Sequence, residues 1–104
     1  MLNRTMTKGE FKAILDGKIP VYDALEKTSH GYFEVIHNGR RGLLNSQYEQ
    51  VLQPQYIMVE VVNKGIIIAA LKRGNYKIYS ERGYPITDRI FTLREDAIRY
   101  ARFF

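Results

Sequence analysis

Tyr32-Phe33-Glu34-Val35-Ile36-His37-Asn38-Gly39-Arg40-Arg41-Gly42-Leu43-Leu44-Asn45 decides the fold class. Its first five residues mix aromatic and β-branched side chains with one acid, a composition suited to a pleated, half-buried strand. Asn38-Gly39 follows. A two-residue hairpin turn that matches the twist of its strands needs positive φ at both central positions, and Asn-Gly adopts this most readily. Arg41 to Asn45 then returns as the partner strand. The stretch predicts an antiparallel β-hairpin, with His37 exposed beside the turn.

Toward the C-terminus the same grammar continues. Ile57 to Val62 and Ile66 to Leu71 are β-branched runs separated by Asn63-Lys64-Gly65. Arg73-Gly74-Asn75 turns into the alternating Tyr76-Lys77-Ile78-Tyr79, and Arg82-Gly83 turns again before Tyr84 to Phe91. Alternation of this kind marks strands, and Gly beside Asn or Arg marks the turns between them. The ends read differently. Thr7-Lys8-Gly9-Glu10 has the capping-box form, Met6 and Phe11 suit a hydrophobic staple, and Phe11, Ile14 and Leu15 make an apolar stripe. Gly17 and Pro20 supply the stop, which predicts a helix over 8–16. Thr92-Leu93-Arg94-Glu95 repeats the capping-box pattern. The stripe Leu93, Ala97, Ile98, Ala101 and Phe104 then predicts a helix over 93–103, with Phe103-Phe104 docked on the core.

Sliding the chain along itself by 34 residues places Pro20-Val21-Tyr22 on Pro54-Gln55-Tyr56 and Gly31 on Gly65. With one further residue inserted, Gly39 falls on Gly74, Leu43 on Ile78 and Val51 on Ile86. A period in this range is the signature of stacked supersecondary units, and the hairpin signals make the unit a β one.

The unit resembles the WG repeat of bacterial proteins, whose pattern runs roughly G-x-A-x-V-x-x-x-G-K-W-G-L-I-D-x-x-G-x-x-I-x-P-x-Y. Gly31, Gly39, Gly42-Leu43-Leu44 and Pro54-Gln55-Tyr56 fall where that pattern wants them, while Arg41 replaces the Trp, Asn45 the Asp and Tyr48 the second turn Gly. In the second copy, Gly65 to Gly83, Tyr76 stands for the Trp, Gly83 keeps the turn and Lys77 departs from the Gly. Ile19 to Asp23 looks like the tail of an earlier partial copy. The resemblance covers roughly residues 19–90 and implies β-hairpin repeats with interaction roles; it carries no catalytic residues to transfer. One hairpin cannot bury its own face, so stacked copies need caps, and the terminal helices suit that part. The expected fold is therefore α+β, one domain over 1–104. An antiparallel meander of two to two-and-a-half hairpin repeats (19–91) forms a roll or partly open barrel between an N-terminal and a C-terminal helix.

Composition narrows the chemistry. With 104 residues, 45% hydrophobic, the chain can bury one core. It has no cysteine, which removes disulfides, thiolate nucleophiles and Cys-ligated metals together. Two histidines, His30 and His37, lack neighbouring ligands at metal-binding spacing. Glu95 and Asp96 stand where a helix N-terminus favours acids, and Ser29, Ser46 and Ser80 have no base at a recognisable spacing. No catalytic, cofactor or metal residues are assigned, and a non-enzymatic protein is expected. The longest apolar run, Ile66 to Leu71, is far shorter than the roughly 20 residues a membrane helix needs. Without an apolar leader at the start either, a cytoplasmic protein is expected.

The charge is uneven. Residues 1–71 carry eight Lys and Arg against seven Asp and Glu, whereas residues 72–104 carry eight against four. There Tyr76, Tyr79, Tyr84 and Tyr100 interleave with the cations, as in surfaces that stack bases of single-stranded nucleic acid. Lys72, Arg73, Lys77, Tyr79, Arg82, Arg99 and Arg102 are the candidate contact residues. The leading reading is a protein-interaction module, with nucleic-acid binding through the C-terminal third as its rival. A homo-oligomer joined through strand edges such as Ile66 to Leu71 is the third reading.

Overall fold

Short β-branched and aromatic runs broken by left-handed turn residues favour antiparallel strands with tight connections. A computed structural model describes residues 22–63 and 65–104, and among these it has seven strands followed by one α-helix. β1 (Ala24–Lys27), β2 (Phe33–His37), β3 (Arg40–Leu44) and β4 (Gln50–Tyr56) form one sheet in chain order. β5 (Met58–Asn63), β6 (Ile66–Ala70) and β7 (Tyr76–Ser80) form a second, and α1 spans Arg94–Ala101. Every pairing is antiparallel. The helix expected over 8–16 lies outside the described residues.

The expected roll or partly open barrel is replaced by two separate open sheets. The chain leaves the first sheet at Ile57 and starts the second, because the two are copies of one unit. The β1–β2 pairs Ala24↔Ile36, Leu25↔Val35, Glu26↔Glu34 and Lys27↔Phe33 recur 34 residues on as Met58↔Ala70, Val59↔Ala69, Glu60↔Ile68 and Val61↔Ile67. The turn after β3 recurs 35 residues on. Tyr48 N–H donates to Asn45 O at 3.0 Å and Asn45 N–H to Glu49 O at 2.9 Å; Gly83 N–H donates to Ser80 O at 2.9 Å and Ser80 N–H to Tyr84 O at 2.7 Å. The side chains repeat too, since Asn45 Oδ1 accepts from Gln47 N–H and Ser80 Oγ from Arg82 N–H.

Among the described residues, the stretch Tyr84 to Phe91, expected to be a strand, pairs through the isolated bridges Tyr79↔Pro85 and Tyr76↔Phe91, with Ile86 N–H donating to Ile78 O between them. The bridges are the counterparts of Leu44↔Gln50 and Arg41↔Tyr56 in β3–β4. Between them Thr87 Oγ1 accepts the Arg89 N–H, a local turn that competes with ladder hydrogen bonding.

Three apolar clusters stack along the repeat. Tyr22, Leu25, Val35 and Leu44 make the first, with Phe33 and Tyr48 packed against them. Their counterparts Tyr56, Val59, Ala69 and Tyr79 join Leu43, Leu52 and Ile67 in the second, the layer between the sheets. In the third, Ile68, Ile78 and Phe91 meet Ala97 and Ala101 of α1. The helix thus covers the face on which a third unit would stack. It is tied down by Arg94, whose Nε donates to Glu60 Oε1 of β5 at 2.8 Å.

β6 is consequently buried on both faces and flanked by β5 and β7, so Ile66–Ala70 forms no sheet edge, contrary to the edge expected at Ile66 to Leu71. Helix α1 starts without the expected Thr92 cap: Leu93 holds the N-cap position and makes no side-chain cap bond. Phe103 and Phe104 do not dock on the core either. Ala97 and Ala101 fill that face, and the two Phe rings, which lie beyond the helix, are 85% and 51% exposed. No helix among the described residues is long and apolar enough to cross a membrane.

Candidate interaction surface

The seven expected contact residues do not converge on one patch. Lys72 and Arg73 are exposed in the β6–β7 turn, and Arg82 lies past the other end of β7. Arg99 and Arg102 are exposed on and just after α1, with Arg99 pairing loosely to Asp96 at 3.7 Å. Lys77 and Tyr79 take the opposite place from the one expected. They pair with Ala69 and Ile67, so both side chains point into the layer between the sheets. Lys77 is half-buried and Tyr79 is 7% exposed. The cause is the stacking of units: a sheet covered on both faces has no outward side for a partner. Burial pushes the Tyr79 hydroxyl above its ordinary pKa, and its hydrogen bond and charge interaction with Tyr56 push the same way. The two rings meet edge to face, 5.9 Å between centroids.

A larger recess of about 360 Å³ opens between the two equivalent turns, with His30, Asn45, Glu49, Glu81 and Arg82 around it. Its polar groups already hold the first turn together. Asn45 Oδ1 accepts from the Gln47 and Glu49 amides, and Asn45 Nδ2 donates to Glu49 Oε1. The recess serves as the seam of the repeat.

A different arrangement stands at the C-terminal end. The bridge Tyr76↔Phe91 fixes Phe91 against the second sheet, and its ring is 7% exposed. Tyr100 of α1 lies 5.3 Å from it, and Phe104 lies 5.5 Å from Tyr100, centroid to centroid. The Arg89 guanidinium sits over both Phe91 and Tyr100, at 5.2 and 5.0 Å from the ring centres. Arg89, Phe91, Asp96, Arg99, Tyr100 and Phe103 enclose an open cleft of about 230 Å³. Of these only Arg99 was among the expected contact residues. A signal for the others is present in the sequence: Phe91 falls 35 residues after Tyr56, which falls 34 after Tyr22, so Phe91 marks the end of the second unit and the packing site of whatever follows.

Arginine and aromatic side chains together form the composition that dominates binding energy at protein interfaces. A guanidinium seated over rings by cation–π attraction can still offer its N–H edges to a planar acceptor. The chain matches no family model, no curated protein and no solved structure.

Proposed function

We propose that this chain is a non-enzymatic protein-interaction module built from two stacked WG-like β units and a capping helix. The observation that carries this reading is the arginine–aromatic cleft on the capping helix, with Phe103 standing 85% exposed at its mouth. Ile90 and Leu93, which lie beside the cleft residue Phe91 in the chain, are more than half exposed as well, and exposed apolar surface of this kind marks interaction sites. The repeat supports the reading from another side. Stacked units form rigid scaffolds, and rigid scaffolds suit presentation of a fixed contact patch.

Nucleic-acid binding through the last third is the rival, and the dispersal of Lys72, Arg73, Arg82 and Arg102 over separate places weakens it. One experiment decides between them. A photo-crosslinking side chain placed at Phe103, and at exposed Gln53 on β4 as a control, is activated in cells that make the protein. A protein captured from position 103 and not from 53 is the expected outcome. Crosslinks to nucleic acid, or equal capture from both positions, overturn the proposal.

A further inference from the structure

Arg89 differs from the other arginines of this cleft and its rim in being seated on two rings. Two arginines of α1 have carboxylate partners: Arg94 has Glu60, and Arg99 has Asp96. Arg89 has none among the described residues, and its guanidinium sits over two rings. We propose that Arg89 is a carboxylate receptor, taking an Asp or Glu side chain of a partner protein whose neighbouring apolar residue enters the cleft between Tyr100 and Phe103. The inference rests on the interaction reading above and names the partner's chemistry.

The geometry carries it in three steps. First, stacking orders the guanidinium before the partner arrives, so less side-chain entropy is lost on binding than for a free arginine. Second, the planar fork matches a carboxylate with two parallel hydrogen bonds, while the apolar walls lower the local dielectric and strengthen them. Third, Asp96 lines the same cleft, and Glu95 precedes it on α1. Those acids oppose a polyphosphate strand, which needs many cations along its path. Asp96 is paired to Arg99, so Arg89 is the cation of the cleft that remains for a single carboxylate.

The test uses the full chain and three probes: a short capped peptide alternating Glu and Phe, its Lys and Phe counterpart, and an oligothymidylate. Binding is followed by NMR on the Arg89 side-chain N–H and on the amides of Tyr100 and Phe103, at about 150 mM salt, where exposed charges are screened beyond roughly 8 Å. The Glu–Phe peptide is expected to shift these signals, and Arg89→Gln to weaken it at least about tenfold, the scale of one charged hydrogen bond. Arg89→Lys, which keeps the charge and loses the fork, should fall between, and Arg82→Gln should bind as the parent does. An unchanged amide spectrum away from the cleft shows each variant folded. Equal binding of the Lys–Phe peptide, no binding of the Glu–Phe peptide, no effect of Arg89→Gln, or tighter binding of oligothymidylate at the same signals overturns the inference. If position 103 captures a protein partner that Arg89→Gln still binds, the interaction reading stands and the carboxylate assignment falls.

Discussion

The two units share a backbone plan and fill it with different chemistry. In the first, the face turned toward its neighbour carries Glu34, ion-paired to Arg41. In the second, the equivalent residues are Ile68 and Tyr76, packed with Ile78 under α1. At the turn after the third strand the first unit has Tyr48 at φ 63°, its ring stacked 4.8 Å from Phe33, whereas the second has Gly83 at φ 83°. The difference teaches where the fold is demanding. Hydrogen bonds of the turn are the same in both, so the turn itself tolerates a large side chain; what surrounds it does not. A Cβ on Gly83 would lie 2.0 Å from Val51 O of the first unit, inside any permissible contact.

Gly83→Ala is therefore the change expected to do most harm. It adds left-handed strain of about 1–2 kcal/mol to a clash with backbone that cannot swing away, for which overpacking costs of about 1–3 kcal/mol are typical. A loss of about 3–4 kcal/mol in urea unfolding, with the slope unchanged, is the expected result. A loss below about 1 kcal/mol would mean that the two units separate easily at this contact, and the picture of a tight seam would fail.

Next in size is the response to alkali, which distinguishes the second layer from the first. Tyr79 occupies the place that Leu44 holds in unit one. Its folded pKa is raised above the ordinary value of 10.0, so the native state holds its proton more tightly than the unfolded chain. The sign follows: its contribution is fully present below pH 10.0 and is lost as pH rises beyond that toward the folded value. Tyr22 is raised in the same direction by burial. Stability measured from pH 9 to 11 should fall, and Tyr79→Phe should flatten that fall without abolishing it, since Tyr22 remains. An identical pH slope in Tyr79→Phe would show that Tyr79 does not feel the layer.

These contrasts also show what could be read in advance. Strand order, the Asn38-Gly39 hairpin and the offsets of 34 and 35 were legible because turns are local: positive φ favours Gly or Asn, and such residues leave a visible spacing, although Tyr48 and His30 adopt it too. Facing was not legible for β7. Tyr76-Lys77-Ile78-Tyr79 alternates as a one-sided strand does, yet both its faces are covered, and only the stacking of a second sheet and a helix decides that. The Thr92 cap failed for a related reason. Thr-x-x-Glu specifies a cap locally, but docking Ala97 and Ala101 on Ile68 and Ile78 sets where the helix begins. Phe103-Phe104 was assigned to the core by hydrophobicity alone, and its exposure is what first points to a contact surface.

Converting the pair Glu34 and Arg41 to Ile and Tyr, their equivalents in unit two, sharpens the comparison at smaller scale. The pair is partly exposed, at 19% and 40%, so its net worth is about 0–1 kcal/mol. An apolar pair of similar volume at a face meeting the second unit should match or exceed it, giving a change between zero and about 1 kcal/mol of added stability. Either single substitution should be worse than the double, because one charge is then left half-buried without its partner. A double variant less stable than both singles would show that the first unit's ion pair has a role the second unit's apolar pair cannot fill.

The smallest effect expected is at Tyr48, and it is the most informative partner to Gly83→Ala. Tyr48→Gly removes the left-handed strain of about 1–2 kcal/mol. It also removes the stack on Phe33, worth about 1 kcal/mol, and loosens the unfolded chain by about 0.5–1 kcal/mol. These contributions cancel to within about 0.5 kcal/mol, so thermal and urea midpoints should scarcely move. The same position in the two units would then tolerate Gly in both and a side chain in one. That outcome ties the demand for glycine at position 83 to Val51 O, which a Cβ there would meet at 2.0 Å, because the turn, its hydrogen bonds and its positive φ are held in common. A loss above about 2 kcal/mol would instead assign the first unit's stability to the Phe33–Tyr48 stack, and the two units would differ in what holds their turns as well as in what surrounds them.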